Sequence, residues 1–139
     1  MDLKPDDVKI FKDNITNMPD CAKSYLFQVI FEADGHEFRD LTLRVGSVDF
    51  QKQQLVITFC EFEDFKVFQT LNEFIRSRKE IKVSIIFYDT KLEKEGYRIT
   101  IPCKCTYMAP LTLDVSSAER LKVIAEFERL DDNQCLLNG

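Results

Sequence analysis

The stretch Tyr97–Arg129, YRITIPCKCTYMAPLTLDVSSAERLKVIAEFER, contains the strongest indication of fold in this 139-residue chain. Two segments, Tyr97–Met108 and Leu121–Leu130, alternate apolar and polar residues, which is typical of half-buried β-strands. Pro110 interrupts the connection between them, since a proline cannot donate a hydrogen bond to a sheet. The stretch therefore predicts two β-strands and an intervening loop.

Strand-like alternation recurs upstream of this stretch. The predicted strands there are Ser24–Ala33, Glu37–Val45, Leu55–Phe62 and Glu80–Tyr88. Asp34-Gly35 predicts a hairpin turn between the first two. In the second strand the apolar spacing slips by one residue between Phe38 and Leu41, which is typical of a β-bulge. We interpret Gly46–Gln54 as a polar connection with some strand character.

The period of the apolar residues changes after the third of these strands. In the segment Phe65–Arg78, Phe68, Leu71 and Phe74 follow the i, i+3 spacing of an amphipathic helix. Asp64 precedes this segment, and aspartate is a residue type that caps helix N-termini. We predict one helix with an apolar stripe that faces the core.

About six strands and one helix predict a mainly β fold, an antiparallel β-sandwich or partly open barrel with the helix over one end or edge. One domain at residues 23–130 is predicted, between an N-terminal arm at residues 1–22 and a C-terminal tail at residues 131–139. Such a sheet has edges, which proteins normally cover or use for pairing. A closed ring of subunits that pair edge to edge would hide them.

Four segments of the chain resemble tail tube proteins of contractile-tailed bacteriophages. They are YLFQVIF at Tyr25–Phe31, the Phe-rich helix at Phe65–Ile75, APLTLDVSSAE at Ala109–Glu119 and VIAEFERL at Val123–Leu130. The resemblance covers most of the chain from Ser24 to Leu130. It implies a structural virion protein whose subunits form rings, usually six-fold, that stack into a tube conducting DNA.

The resemblance also implies a location and partners. The protein is expected in the virion, in a phage tail assembled in the host cytoplasm, with copies of itself, tail sheath proteins and baseplate proteins as partners. DNA would contact it only in transit through the lumen. The chain departs from the family in its short segment Gly46–Gln54 and in having no Trp. The short segment leaves open a tail-end component, such as a tube initiator, baseplate hub or terminator.

Five residues are candidate interface positions: Phe50, Ser84, Leu111, Leu113 and Asp114. The last three belong to the loop that carries the resemblance. Ser84 lies in the predicted hairpin Glu80–Met108, the longest candidate for a sheet that faces the lumen. Phe50 stands in a polar connection and is either a ring-to-ring anchor or a part of its own core.

The net charge of −5 argues against a surface that binds nucleic acid tightly. In a ring, this acidity predicts a lumen that is neutral or acidic and does not hold passing DNA. The candidate strands nevertheless carry basic residues, which we expect to pair with Glu126 and Glu128 or to face away from the lumen. These are Lys82, Arg98, Lys104 and Lys122.

No apolar run approaches the ~18 residues that span a bilayer. The N-terminal sequence MDLKPDDVKIFKDN has no apolar signal-peptide core. We therefore expect no membrane partner and synthesis in the cytoplasm. In that reducing compartment the five cysteines, an odd number, are not expected to form a disulfide framework.

Cys103 and Cys105 form a CxC motif, which can supply two thiolate ligands to a metal. In a strand, positions i and i+2 share a face, so both thiols belong to one apolar row. The row comprises Ile99, Ile101, Cys103, Cys105 and Tyr107. His36 is the single histidine and is expected to be exposed in the hairpin turn. We interpret the two cysteines as buried core thiols and expect no metal and no cofactor.

Catalytic motifs are missing from the sequence. There is no GxGxxG, P-loop or GxSxG pattern, and Glu61, Glu63 and Asp64 are expected on a solvated surface. We therefore expect no enzymatic activity. The alternative from another functional class is a monomeric or dimeric β-sandwich that binds a partner protein or small ligand. Its apolar pocket would lie between the sheets near Phe62 and Phe68.

Overall fold

The computed structural model describes residues 26–89 and 95–130. Its strands are β1 (Phe27–Ala33), β2 (His36–Glu37), β3 (Val45–Phe50), β4 (Gln54–Cys60), β5 (Ile81–Tyr88), β6 (Glu95–Met108) and β7 (Lys122–Arg129). Its helices are α1 (Arg39–Thr42) and α2 (Lys66–Ser77), and neither is long and apolar enough to cross a membrane. The predicted N-terminal arm and C-terminal tail lie outside the described residues, so the domain boundaries stay predictions.

All seven strands belong to one antiparallel sheet in the order β2-β1-β5-β6-β7-β4-β3. The 14 residues of β6 pair first with β5 and then with β7, so that Cys103 lies opposite both Ile81 and Arg129. Among the described strands the sheet is not closed, and β3 forms one of its edges. The predicted mainly β, antiparallel fold is confirmed.

One face of the sheet forms the hydrophobic core. The ring of Phe31 in β1 lies 5.8 Å from that of Phe59 in β4 and 5.9 Å from that of Phe127 in β7, between centroids. Three strands separate β1 from β4 in the sheet order, so this contact requires a strongly curved sheet. The two helices cover the same face with the fully buried side chains Leu41, Val67, Leu71 and Phe74. Each such side chain stabilises the fold by about 1.5–3 kcal/mol.

The first predicted hairpin forms, but its second strand is short. Asp34 and Gly35 have φ values of 54° and 76°, the left-handed conformations of a two-residue type I′ turn. β2 comprises only two residues, because the chain then turns into α1 and buries Leu41 completely. The predicted full-length second strand is therefore wrong. The slip in its apolar spacing reflects a helical turn and not a bulge.

The segment interpreted as a connection, Gly46–Gln54, is mostly strand. β3 and β4 form an antiparallel hairpin in which Phe50 lies opposite Leu55. The amide of Gln51 donates to the carbonyl of Gln54 at 2.9 Å and closes the short turn between them. The outward residues of β3 are polar because it is an edge strand with one face in solvent, and this polarity is what made the segment resemble a loop.

The alternation of buried and exposed side chains in β6 changes near the end of the strand. Cys103 and Cys105 are buried, but Tyr107 is 47% exposed. The register between β6 and β7 shifts after Cys105, and Tyr107 consequently pairs with Glu126. An extra residue at a bulge changes the side of the sheet that the following residues face. The predicted apolar row therefore ends at Cys105.

Candidate assembly interfaces

The connection from β6 to β7, Ala109–Leu121, exposes a row of apolar side chains and is called the β6–β7 segment below. Leu111 is 39% exposed, Leu113 is 77% exposed, and Val115 is fully exposed. Isolated apolar side chains are normal on a protein surface, but a contiguous group marks an interaction site. Two of the predicted interface residues, both leucines, thus lie together on the surface.

Hydrogen bonds hold both ends of the β6–β7 segment on the sheet. The amide of Ala109 donates to the carbonyl of Ile124 at 2.8 Å, and the amide of Glu61 donates to the carbonyl of Leu121 at 2.9 Å. Between Ala109 and Leu113 the chain forms neither a helix nor a turn. The exposed leucines are therefore presented from a base that is fixed at two points.

Asp114 closes a turn in the middle of the segment. Its Oδ1 accepts hydrogen bonds from the hydroxyl of Ser116 at 2.7 Å and from its amide at 3.0 Å. The carbonyl of Asp114 accepts from the amide of Ser117, whose hydroxyl accepts from the amide of Glu119 at 3.2 Å. The side-chain and then the backbone hydrogen bond of Ser116 lower the pKa of the Asp114 carboxyl, because both favour its charged form. The segment thus contains a turn at Asp114–Ser117 that is held by its own side chains.

An open cleft of about 460 Å³ lies beside the β6–β7 segment. Its walls include the apolar Leu111 and Leu113 together with the charged Asp114, Glu119 and Arg120. The described residues that line it include no histidine or cysteine, and a set of nucleophile, base and orienting group is not assembled there. The arrangement offers a contact surface of mixed polarity.

At the same end of the sheet, Glu61 caps α2 from outside the helix. Its Oε1 accepts from the amide of Val67 at 3.2 Å and its Oε2 from the amide of Phe68 at 2.8 Å, where negative charge is favourable. Phe65, in the left-handed conformation, occupies the N-cap position and makes no side-chain cap. The predicted cap, Asp64, lies one residue earlier, where its Oδ1 accepts from the amide of Lys66 at 3.2 Å. Glu61 is only 8% exposed, so its predicted solvated position is also wrong. Standard capping spacings do not reach a residue so far upstream.

Arg44 is a second buried charge in this region, and no sequence pattern indicated it. Its guanidinium donates to the carbonyl of Asp40 at 2.6 Å and pairs with the carboxylate of Asp64. The ring of Phe62 lies 4.6 Å from it, in a cation–π contact. Phe68, by contrast, packs against the core. Phe62 and Phe68 therefore have different neighbours and do not form the two walls of the predicted apolar pocket.

Ser84 lies in the middle of the sheet. It is opposite Ile30 in β1 and Thr100 in β6. Its side chain is buried, and its hydroxyl lies 2.9 Å from that of Thr100. Because β5 has strands on both sides, its main-chain groups are engaged within the subunit. A contact of Ser84 with another copy stays a prediction, and a proline at this position is expected to disrupt the subunit's own sheet.

Phe50 lies at the end of β3 and not in a loop. It is half-buried and packs against the core. This position favours the alternative that Phe50 belongs to its own core, and its role as a ring-to-ring anchor stays a prediction. Of the five predicted interface residues, only Leu111, Leu113 and Asp114 lie together.

The basic residues of the candidate strands point away from the core. Lys82 lies opposite Glu32, and Lys104 lies opposite Glu128, in neighbouring strands. Opposite charges in such cross-strand positions stabilise a sheet by about 0.2–1 kcal/mol. Glu128 is one of the two acidic residues that the sequence named as partners, whereas Glu32 was not named; among the described residues neither lysine forms an ion pair within 4.0 Å. The charge of any lumen stays a prediction.

The thiols of Cys103 and Cys105 are core residues, as predicted. Burial raises the pKa of Cys105 to about 12, so this thiol is protonated near neutral pH and is a poor nucleophile. Within residues 26–89 and 95–130, no three His, Cys, Asp or Glu residues are grouped to hold a metal ion. His36 is exposed, as predicted, and its ring contacts that of Phe38 edge-on at 4.8 Å.

No protein-family model matches this sequence, and no curated protein does either. Among solved structures, a chain in the cryo-EM structure of the anti-feeding prophage (AFP) baseplate, 6-fold symmetrised, has a similar fold. The two chains agree with a TM-score of 0.63 at 16% sequence identity, over 82% of this chain and 95% of that chain. The similarity establishes a shared fold, and function has to be argued from the surface.

Proposed function

We propose that this protein is a non-enzymatic structural subunit of a phage-type tail that assembles with copies of itself into a ring, as tail tube proteins do. The observation that carries the proposal is the fold shared with a chain of a 6-fold symmetrised baseplate, over 95% of that chain. In such an assembly the protein would be located in the virion. Its partners would be further copies, sheath proteins and baseplate proteins.

The surface of the subunit supports assembly. The described sheet is open, with main-chain groups along its edges, and edges of this kind are used for pairing or are covered in native proteins. The β6–β7 segment adds exposed apolar side chains at a site fixed by hydrogen bonds. Both features are costly in an isolated subunit and favourable in an interface.

The compact β3–β4 hairpin supports a position at the end of the tail over one along the tube. Tail tube proteins, which the sequence resembles, usually carry a longer excursion here that contacts the next ring, whereas Gly46–Gln54 forms an edge strand and a tight turn. A subunit without a long excursion has less surface for the next ring. We therefore favour a tube-like ring at an end of the tail, such as a tube initiator, hub or terminator.

The solvent face of the sheet is compatible with DNA in transit. Lys82 and Lys104 each have a glutamate directly opposite. A carboxylate beside a lysine weakens the attraction of that position for DNA phosphates. If this face lined a channel, DNA would not be held strongly. An electrostatic map of an assembled ring tests this: a continuous positive lumen would contradict a conduit role.

The experiment that tests the proposal is the size and shape of the purified full-length chain. We expect light scattering after size exclusion to give a multiple of 16.3 kDa, and negative-stain electron microscopy to show rings. Single rings would support a tail-end component, and stacked rings would support a tube protein. A compact particle of monomer mass at high concentration would contradict the proposal and favour a binding module.

A further inference from the structure

A seam of about 710 Å³ separates the two ends of the curved sheet. One wall is the beginning of β1, with Leu26, Phe27 and Val29, and the other is the turn into β3, with Thr42, Leu43 and Val45. None of the described residues that line the seam is charged, in a chain with 31% charged residues. The seam is therefore suited to an uncharged, largely apolar occupant.

The β1 wall of the seam has main-chain groups available for pairing. The amide of Tyr88 donates to the carbonyl of Leu26. Because hydrogen-bonded pairs alternate along antiparallel strands, Phe27 and Val29 direct their amides and carbonyls away from β5 and toward the other edge. β2 pairs with β1 only at its last two residues. In the described part of the chain, no strand pairs with this edge at Phe27 and Val29.

The opposite wall contains a buried polar atom without a partner. The hydroxyl oxygen of Thr42 is inaccessible to solvent, and no described residue forms a hydrogen bond with it. A buried hydroxyl without a partner destabilises the fold, and Thr42 is one of the residues that line the seam.

The β6–β7 segment has the complementary chemistry. Tyr107–Leu113, YMAPLTL, is a run of uncharged residues, and Leu111 and Leu113 extend into solvent. The main chain of these two leucines makes no hydrogen bond to any described residue. An uncharged segment with free main-chain groups and alternate apolar side chains is the kind of chain that adds to a sheet edge.

We propose that Ala109–Leu113 of one copy enters the seam of a second copy and pairs with the free edge of β1. This inference rests on the proposed ring and names one of its contacts. In the seam, the side chains of Leu111 and Leu113 are no longer exposed to solvent. The contact removes no charged group from water, because both surfaces are uncharged. The imino nitrogen of Pro110, which cannot donate, does not interrupt the pairing when it faces outward from the edge.

The subunit's own β6–β7 segment does not occupy the seam. Leu111 and Leu113 are exposed, and neither is among the described residues that line the seam. The occupant that the proposal requires is therefore the segment of a second copy. Contact between two different surfaces of identical subunits is heterologous, and it generates rings when the rotation closes.

Leu113→Asp tests the contact, with Val115→Asp as the matched control from the turn of the same segment. Both residues are exposed, so both variants should unfold at the wild-type urea concentration. Placing a charge in the seam should weaken self-association, measured by sedimentation velocity, by about tenfold or more. The control should assemble like the wild type.

Cross-linking gives an independent measurement. We expect a mixture of Leu113→Cys and Leu43→Cys proteins to form a mixed disulfide between copies under mild oxidation, identified by mass spectrometry. Leu43 is 73% exposed at the rim of the seam. Leu113→Cys mixed with Tyr97→Cys, at the start of β6, is the control, and the wild type gives the background of the native cysteines.

The outcomes separate this contact from the proposed function. Loss of assembly in Leu113→Asp alone, with the Leu113–Leu43 disulfide in excess over its control, supports the seam contact. Rings that form equally well in Leu113→Asp, or a disulfide no more frequent than the control, overturn the contact and leave the ring intact. A wild-type protein that stays monomeric overturns both.

Discussion

Two connections leave the same end of the sheet and are built in opposite ways. The connection from β4 to α2 encloses charged groups. Its Glu61 binds two helix amides, and its Asp64 and Phe62, together with the carboxylate of Asp40, surround the buried Arg44. The β6–β7 segment does the reverse, because it leaves leucine side chains in solvent and free main-chain groups beside them.

The difference separates stability from recognition. A buried charge stabilises the subunit only when its hydrogen bonds are satisfied by other groups of the same subunit. The Glu61 cap satisfies this condition without another chain. Exposed leucines contribute little to the stability of a single subunit but offer apolar area to a partner. Substitutions in the first connection should therefore change the free energy of unfolding, and substitutions in the second should change association.

A proline in the sheet that carries both connections should have the largest effect. Ser84→Pro removes the amide that faces Ile30 and should lower the free energy of unfolding by about 3 kcal/mol or more. Urea unfolding followed by circular dichroism measures this. Thr112→Pro in the β6–β7 segment should stay within about 0.5 kcal/mol of the wild type. A Ser84→Pro protein with a wild-type midpoint would show that β5 is not a central strand.

Removing the cap should have the next largest effect. Glu61→Ala leaves the amides of Val67 and Phe68 without an acceptor, and we expect a loss of about 1–3 kcal/mol in the free energy of unfolding. Glu63→Ala is the control, since Glu63 is a neighbouring exposed carboxylate. Ring formation by folded Glu61→Ala protein should be unchanged. Equal urea midpoints for the two variants would argue against the cap.

The turn at Asp114 should show the smallest effect, visible as a pH dependence. The pKa of Asp114 is lowered in the folded chain, so the contribution of its carboxylate is present above the unfolded pKa and is lost as pH falls through the folded pKa. We expect the amide chemical shift of Ser116 in NMR spectra to change over that acidic range. Asp114→Asn should abolish the change, and Glu119→Gln should not. An unchanged titration in Asp114→Asn would assign it to another group.

Local patterns in the sequence predicted the elements that depend on local geometry. The alternation in Glu80–Tyr88 and Tyr97–Met108 predicted β5 and β6 closely, because successive side chains of a strand face opposite sides. The spacing of Phe68, Leu71 and Phe74 predicted α2 for the same kind of reason. Asp34-Gly35 predicted its turn because few residues adopt positive φ without strain.

Tertiary structure decided which surfaces stay free. Whether the edge at Phe27 is open depends on where the second hairpin strand ends, and that strand ends because Leu41 is drawn into the core by α1. Tyr107 faces solvent because of a bulge against β7, and Glu61 reaches α2 because Phe65 turns the chain. These outcomes depend on contacts between residues far apart in the chain. A local sequence pattern does not predict the free energies of such contacts. The sequence by itself thus determined β5, β6, α2 and the turn at Asp34-Gly35, whose patterns are local. The folded sheet determined the seam and the exposed leucines that it could receive.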